Sequence, residues 1–480
     1  MKAEKNEINR LDPIASKPKK TLGVDADGIQ KTMTLKHYLG DGASMVAVNS
    51  ISGLAGMLTF FYTDKIGLAA AAVGTIMLLT RILDAFIDLM MGKIVDSTKS
   101  KYGKARPWFL WMIVPAIASI ILLFTVPVSA SDSVKYVYAF VTITLATGFV
   151  YSAIAIPLGS LMALRTRSTE ERGKMGITRA AFGYAIGMAV AIFLIPMSNM
   201  LGGDQKAWII IGVTLGILSG LALLTTFLSS EEKVDGDRLK ETAEEDRVTF
   251  RESIRLLFKN KYWVIMLFIN ILYQMSNSIS GSTNVYYTKY ILGNENLVGV
   301  MGAVGLLPVL IGFALVGPMI KKYGITRTAQ IGFLIGIAST GIRCFMPYSF
   351  LGALIFGSFS TFAMIPMMAV SGVLLANTIE YGEWQSGKRI VGMANSGSSF
   401  GQKVGMGIGT AMIGWILAFG SYDGTLAVQS DSAIASILAL TIYLPFALFV
   451  VSYLLLRKYD LDKKYPQIVK ELEARKQANN

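Results

Sequence analysis

Long apolar stretches alternate with short polar segments along almost the whole of this 480-residue chain. Twelve of these stretches reach about 20 residues, the length that an α-helix needs to cross a hydrocarbon layer of roughly 30 Å. We number them spans 1 to 12 and place them at residues 38–62, 68–92, 107–129, 134–164, 175–200, 207–230, 262–290, 296–320, 326–346, 350–378, 391–420 and 432–457. The pattern predicts an all-α membrane protein with twelve transmembrane helices.

The spans fall into two groups of six. The polar segment 229–260, rich in Glu, Asp, Arg and Lys, separates the groups, whereas the other connections are short. Residues 1–36 are basic and polar without an apolar core, a composition that fits a disordered arm and not a cleaved signal peptide. The predicted domains are a disordered cytoplasmic N-terminal arm (1–36), an N-terminal six-helix bundle (37–230), a cytoplasmic linker (231–261), a C-terminal six-helix bundle (262–457) and a cytoplasmic tail of charged helix or coil (458–480).

Composition and charge agree with this topology. Hydrophobic residues make up 53% of the chain and charged residues 16%, which is not the balance of a soluble protein. Positive charge near a span end is retained on the cytoplasmic side, so we expect both termini inside the cell membrane. The net charge of +13 is then a topology signal and does not indicate a nucleic-acid partner. Basic residues cluster after the even-numbered spans, from Lys93 to Arg389, and are sparse after the odd-numbered spans, at Lys65, Lys135, Lys206 and Lys289.

A faint internal repeat relates the two groups of spans. The chain reads "GKIVDSTKSKYGKARP" after span 2 and "GPMIKKYGITRT" after span 8. Each segment has a glycine at the helix end, then basic residues, then Tyr-Gly and further basic residues. Together with the six-plus-six layout, the repeat predicts a major-facilitator fold of two parallel six-helix bundles around a central cavity.

Three charged residues interrupt span 2, in the segment "RILDAFIDLMMG". At 100° per residue, Asp88 lies about 40° around the helix from Asp84, and Arg81 lies about 20° from Asp88. The three side chains therefore share one face, and that face points inward because a charge at mid-membrane costs about 2.5 to 3.5 kcal/mol. A structural ion pair between helices is the simpler interpretation. One arginine offsets only one of two carboxylates, however, which predicts a site that exchanges a proton or a small cation.

Three further charges lie inside predicted spans. Asp41 in span 1 is a candidate ligand but could cap a helix, and Arg179 in span 5 lies close enough to the cytoplasmic end to snorkel. Lys403 in span 11 lies about 200° from Gly401 and so points away from the small-residue face of its helix, toward the cavity. A carboxylated substrate would fit the positive charge of Arg179 and Lys403. The small-residue face comprises Gly397, Gly401, Gly405 and Gly409.

Span 7 carries a continuous polar edge. Interhelical hydrogen bonding explains such an edge as well as a ligand-lining role does. Tyr273 and Tyr286 would suit a sugar, whose apolar ring faces stack on aromatic rings while its hydroxyls need polar partners. The edge consists of Asn270, Gln274, Asn277, Gly281 and Asn284.

Several segments resemble one transporter family over about residues 36 to 460. "RILDAFIDLMMGKIVDSTKSKYGKARPW" resembles the span 2 and loop signature of the glycoside-pentoside-hexuronide:cation symporters, a melibiose-permease-like group of the major facilitator superfamily. "FFYTDKIGL", "YSAIAIPLGSL", "ANTIEYGEWQSGKRIVGMANS" and "SSFGQKVGMGIG" are similar to the end of span 1, to span 4, to the loop between spans 10 and 11, and to span 11 of its members.

The resemblance implies roles for individual residues. It implies that Asp84, Asp88, Ser152 and Lys403 form the cation site, with the two aspartates as metal ligands if the cation is Na⁺. It implies that Asp41 and Arg179 contact the sugar, and we add Asn277 and Tyr273 from the polar edge of span 7. It also implies a role in conformational change for Arg81, Glu380 and Arg389, which match charged residues with that role in the family.

Two departures from the family pattern bear on substrate and cation. Ala155 and Gly159 stand where melibiose-type members have an acidic residue and a tryptophan, which places a galactoside bound in that manner in doubt. Ile87 precedes the second aspartate in place of an amide. One fewer oxygen ligand favours H⁺ over Na⁺, although Ser152 and a water could make up the deficit.

We therefore expect a cation-coupled sugar or glycoside symporter that acts as a monomer in lipid, by alternating access and without a resident cofactor. A major-facilitator carrier for a drug or lipid is the alternative. An enzyme is disfavoured, because His37 and Cys344 are the sole histidine and cysteine and no phosphate loop or nucleophile motif occurs. A sensor would need an output domain, and neither tail is long enough to fold into one.

Overall fold

The computed structural model describes residues 23–24, 30–166, 168–232, 249–388 and 390–479. Within these residues a helical segment occurs at each of the twelve predicted spans. Their bounds are, for spans 1 to 6, Leu35–Phe60 with a π-helical turn Phe61–Lys65, Ala70–Ser97, Arg106–Trp111 with Ile113–Leu122, Asp132–Ile143 with Thr144–Val150 (π-helical) and Tyr151–Arg165, Thr169–Met200, and Gln205–Ser229. For spans 7 to 12 they are Lys261–Tyr290, Leu297–Tyr323, Ile325–Phe345, Phe350–Ser386, Val391–Phe419, and Asp431–Leu438 with Ala439–Tyr443 (π-helical) and Leu444–Arg457.

Ten helices in the described part of the chain are long and apolar enough to cross a membrane. Span 3 falls short because it is broken into two short helices. Span 11 has 29 residues, but its many Gly and Ser residues and Lys403 lower its hydropathy.

Span 3 is broken into two helices and ends earlier than predicted. Pro115 is the third residue of its second helix, and a proline there removes an N–H and clashes with the preceding turn, so the helix breaks at Met112. The helix ends at Leu122, and the carbonyls of Leu122, Leu123 and Phe124 then accept hydrogen bonds from side chains of other spans. The predicted continuation to residue 129 is therefore wrong.

Span 10 is longer than predicted and continues to Ser386. It ends at Gly387, whose φ of 69° lies in the left-handed region and whose N–H bonds to the carbonyl of Glu383, a common glycine stop. The added turns carry Tyr381 and Trp384, which pack against residues of the C-terminal tail. That packing was not visible from the sequence pattern.

Span 11 joins the two groups of spans by lying between span 2 and span 7. The predicted small-residue face allows the approach to span 7, because a Cβ at Gly405 would lie 2.4 Å from the carbonyl oxygen of Ile271. On the opposite side, a Cβ at Gly414 would lie 2.3 Å from the carbonyl oxygen of Ala70 in span 2. Backbone contact on both faces fixes the rotation of span 11 and with it the direction of Lys403.

Two helices in the described part of the chain lie outside the spans. The predicted linker contains a helix at Phe250–Lys259, and the predicted tail forms a helix at Leu461–Asn479. We call the end of the bundle that carries these helices the linker end, and the opposite end the far end. Of the predicted N-terminal arm, residues 1–22 and 25–29 lie outside the described residues, as does Arg389, while Thr32 and Met33 donate backbone hydrogen bonds to Glu171 of span 5.

Candidate cation and substrate sites

The first carboxylate of span 2 is almost fully buried. Asp84 is 3% exposed, and its Oδ2 accepts hydrogen bonds from Arg81 Nη1 at 3.0 Å and from Thr147 Oγ1 of span 4 at 3.5 Å. Its other oxygen, Oδ1, is buried without any hydrogen-bond partner. An unsatisfied carboxylate oxygen in such a place is costly, so Oδ1 has a free acceptor position for a further ligand.

The second carboxylate lies between the two groups of spans. Asp88 accepts a hydrogen bond from Ser152 of span 4 through Oδ1 and forms an ion pair with Lys403 of span 11 through Oδ2. Lys403 Nζ also lies 3.4 Å from the backbone oxygen of Asp84. The predicted cation-site residues are thus brought together, although Lys403 reaches the contact with span 2 instead of an open cavity.

The cluster carries no net formal charge in this arrangement. Arg81 pairs with Asp84, and Lys403 pairs with Asp88. From span 2 alone, with one arginine and two carboxylates, we expected a net negative charge. The structure adds Lys403 from span 11, which balances the second carboxylate. A bound cation must therefore compete with an ammonium group already present.

A π-helical turn in span 4 shapes the site. Residues Thr144–Val150 form this turn, a geometry that is rare and frequently found at functional sites. The turn brings Gly148 so close to span 2 that a Cβ there would lie 2.6 Å from Asp84 Oδ1 and 2.9 Å from Ile87 Cδ1. The same turn directs the hydroxyl of Thr147 toward Asp84. Sequence reasoning missed both residues, because a straight-helix count does not anticipate the extra residue of a π-turn.

A separate cavity of about 450 Å³ lies mainly among spans 7 to 10 and span 12, with contributions from spans 1 and 5. Of the residues predicted to bind substrate, Tyr273 and Asn277 line it. Gly281 and Asn284 of the same polar edge also line it, whereas Asn270 is buried and donates to Ser398 at 2.7 Å. The polar edge of span 7 therefore divides between a cavity wall and an interhelical hydrogen bond.

The other two predicted substrate residues lie outside this cavity. Arg179 donates to Asp41 through Nε at 2.6 Å and through Nη2 at 2.9 Å, a bidentate pair. Arg165 of span 4 adds a third contact to Asp41 at 3.5 Å, and Asp41 is 0% exposed. Neither the helix cap nor the free snorkelling arginine considered from the sequence matches this geometry. A substrate at Asp41 would have to break charge-assisted hydrogen bonds.

A buried cluster around Asp64, at the end of span 1, lies at the far end of the bundle. Its carboxylate accepts hydrogen bonds from Lys289 and Tyr290 of span 7 and from Tyr422 after span 11, each at 2.7 Å. The hydroxyls of Tyr286 and Thr63 share a hydrogen bond of 3.0 Å beside Asp64. Tyr286 therefore belongs to this cluster and is not among the residues that line the cavity. The cluster links the first six spans to the last six.

Of the predicted gating residues, Arg81 belongs to the cation cluster and Glu380 lies at the linker end. Glu380 accepts a hydrogen bond from Tyr465 of the tail helix at 2.6 Å. Burial, and then this bond to Glu380, raises the pKa of Tyr465 to about 12. Glu380 thus attaches the tail helix to span 10. Arg389 lies outside the described residues.

Comparison with known proteins assigns the family. The chain matches the family described as MFS/sugar transport protein over residues 40–463. It is 30% identical over 441 residues to the isoprimeverose transporter of Lactiplantibacillus pentosus, covering 90% of this chain and 89% of that protein. It is 29% identical over 439 residues to the inner membrane symporter YicJ of Escherichia coli (strain K12), covering 88% and 90%.

Solved structures share the fold at much lower identity. The crystal structure of the nucleoside transporter NupG aligns with a TM-score of 0.59 and 13% identity, over 88% of this chain and 99% of that chain. A bacterial homologue of the iron transporter ferroportin, in an inward-facing state, aligns with a TM-score of 0.59 and 13% identity, over 89% and 99%.

Proposed function

The chain belongs to the MFS/sugar transport protein family, and we propose that it couples the passage of a sugar or glycoside to that of a cation bound at Asp84 and Asp88. The family confirms the predicted all-α transporter fold and a secondary transporter in place of an enzyme. The chain is a multi-pass membrane protein. We further propose that it lies in the cell membrane with the linker end in the cytoplasm, from the distribution of Lys and Arg.

The observation that carries the coupling proposal is the contact between Lys403 and the two aspartates. Lys403 belongs to the last six spans and the aspartates to the first six, so this ion pair ties the two groups together at mid-span. A cation that binds Asp88 and the unpartnered Oδ1 of Asp84 competes with the Lys403 ammonium. Cation binding then loosens one contact between the groups, and a substrate that stabilises the rearranged state raises the affinity for the cation in return.

The far-end cluster supports an order of events. Asp64 and its partners tie the two groups of spans together at the end that we assign to the outside, and we propose that this is a conformation closed at that end. Alternating access requires this cluster to break while the linker end closes. We propose that the bond to Lys403 holds the cation-free conformation and that the incoming cation releases it.

The choice of cation follows from the oxygen atoms available. Both carboxylates, Ser152 Oγ and Thr147 Oγ1 surround the site, while Ile87 contributes only carbon. Na⁺ favours several oxygen ligands, whereas a proton needs one carboxylate with a suitable neighbour. We keep the proposal of H⁺ as the coupling ion, with Na⁺ as the alternative.

A flux measurement tests the coupling. Purified protein in liposomes receives a glycoside from a panel that includes xylosides, glucosides and glucuronides, and internal pH and ²²Na⁺ uptake are recorded. In the wild type we expect a saturable cation influx that requires the glycoside. In Asp84→Asn we expect no cation influx on addition of the glycoside. Asp132→Asn, an exposed carboxyl at the far end, serves as the matched control and should behave as wild type. Glycoside uptake without any cation flux contradicts the proposal.

A further inference from the structure

Arg343 is the one residue with a formal charge among the described residues that line the 450 Å³ cavity. It lies in the last turn of span 9, one turn after Thr340, which also lines the cavity. The arginine is 5% exposed. The other polar groups of the wall are uncharged amides and hydroxyls, so the position of this guanidinium sets the charge of the cavity.

No carboxylate in the described part of the chain pairs with Arg343. Its guanidinium lies over the ring of Tyr287, 5.4 Å from the centroid, and its Nη2 is buried without a hydrogen-bond partner. By contrast, Arg179 and Lys403, which the sequence offered as positive groups for a carboxylated substrate, are each paired with an aspartate. The uncompensated positive charge is therefore at a place that no motif had indicated.

A buried guanidinium without a counterion is unfavourable, and an anion delivered to its side relieves that cost. The planar fork of arginine binds a carboxylate through two hydrogen bonds. A simpler role also exists, because a cation in the last turn of a helix interacts favourably with the helix dipole and an aromatic ring adds to this. That role needs neither a cavity nor a ligand, and it predicts no dependence on ligand charge.

We propose that Arg343 forms an anion subsite, and that the sugar carried by this protein bears a carboxylate which this arginine binds. The inference rests on the proposed function and names its substrate class: a uronide, whose hydroxyls bond to Asn277, Asn284 and the hydroxyl groups of the wall. Tyr273 also lines the cavity and supplies an aromatic ring for an apolar face of the sugar.

Matched ligand pairs test the subsite. The 4-nitrophenyl β-glucuronide is compared with the β-glucoside, and the galacturonide with the galactoside, since each pair differs only in a carboxylate at C6. Binding to the purified protein is measured by calorimetry. We expect the carboxylated member of at least one pair to bind about 10-fold or more tightly than its neutral partner. In Arg343→Gln, the affinity for that uronide should fall about 10- to 100-fold, and the affinity for the neutral glycoside less than about 3-fold.

Arg343→Lys keeps the charge without the planar fork and should retain part of the preference. If Arg343→Gln does not fold, as judged by its thermal unfolding in detergent, a reduced preference in Arg343→Lys decides the question. Equal losses for both members of a pair, or no preference for the uronides in the wild type, overturn the subsite. Cation-stimulated binding of neutral glycosides alone also overturns it and leaves the coupling proposal intact. A uronide affinity that does not change with Na⁺ concentration or pH contradicts the coupling proposal and leaves the subsite intact.

Discussion

Replacing Gly148 by alanine adds a single methyl group at the proposed cation site. The new Cβ would lie 2.6 Å from Asp84 Oδ1 and 2.9 Å from Ile87 Cδ1, both closer than non-bonded atoms approach. Asp84 is a short side chain held by Arg81, so the carboxylate has little freedom to withdraw. Relief requires either a shift of the carboxylate or a shift of span 4 away from span 2.

The size of the effect follows from the packing. An added methyl group in a closely packed interior costs about 1 to 3 kcal/mol, and the atom displaced is the proposed ligand. If that cost falls on the cation-bound state, the apparent cation affinity drops about 5- to 150-fold. The exchange of glycine for alanine also favours the helix by up to about 1 kcal/mol, but this folding contribution is the same with and without the cation and cancels in the cation affinity.

Gly159→Ala is the control for the exchange of glycine for alanine in this span. Gly159 lies in the same span with nothing within 4 Å of an added Cβ, so this variant reports the helix effect without the clash. The assay is glycoside uptake into vesicles over a range of pH and of Na⁺ concentration, which gives the cation concentration for half-maximal uptake. We expect Gly159→Ala to remain within about 2-fold of the wild type. Indistinguishable cation dependence in the two variants would refute the placement of the cation beside Asp84 Oδ1.

Three further predictions concern closure, packing and the tail. Asp64→Asn weakens the far-end cluster. A membrane-impermeant thiol reagent added outside should therefore label a cysteine introduced into the cavity faster when Asp64→Asn is present than when Asp64 is intact. Gly405→Ala forces a shift of span 7 and should lower the unfolding temperature, whereas Gly372→Ala, with open space around it, should not. Hydrogen bonds from Tyr262 and then Lys464 lower the pKa of Asp460 from 3.8 to about 2. The stabilisation from the Asp460 carboxylate is therefore complete above about pH 5 and lost as pH falls toward 2, and Asp460→Asn should remove that part of the pH dependence in unfolding scans.

Much of the fold could be predicted because membrane helices carry their own signal. Spans of about 20 apolar residues cannot be hidden in a soluble core. In the structure they differ from the prediction at their ends, in the break of span 3 at Met112 and in the π-helical turns of spans 1, 4 and 12. Spans 3 and 10 moved most, for reasons that depend on neighbours: side chains cap the end of span 3 at Leu122, and the tail helix supports the last turns of span 10. Such partners are distant in sequence.

The site divides in the same way. Helical periodicity alone placed Arg81, Asp84 and Asp88 on one face, and the spacing of small residues indicated that Lys403 points away from span 7, although it reaches span 2 and not the predicted cavity. The π-turn at Thr147 and the missing counterion of Arg343 depend on tertiary structure, and no local pattern reports either. The net charge of the cation cluster could not be counted from one helix, because one of its four charges comes from another.

Asp88, held by Lys403 until a cation arrives, is the residue that we propose couples the cation to the sugar. Vesicles containing Asp88→Asn, which keeps the bond to Ser152 possible but removes the charge, are tested with one glycoside in two modes: accumulation against its gradient, driven by an imposed cation gradient, and exchange of internal for external glycoside at equilibrium. We predict that Asp88→Asn vesicles no longer accumulate the glycoside and still exchange it. Accumulation by Asp88→Asn at the wild-type level would contradict this prediction.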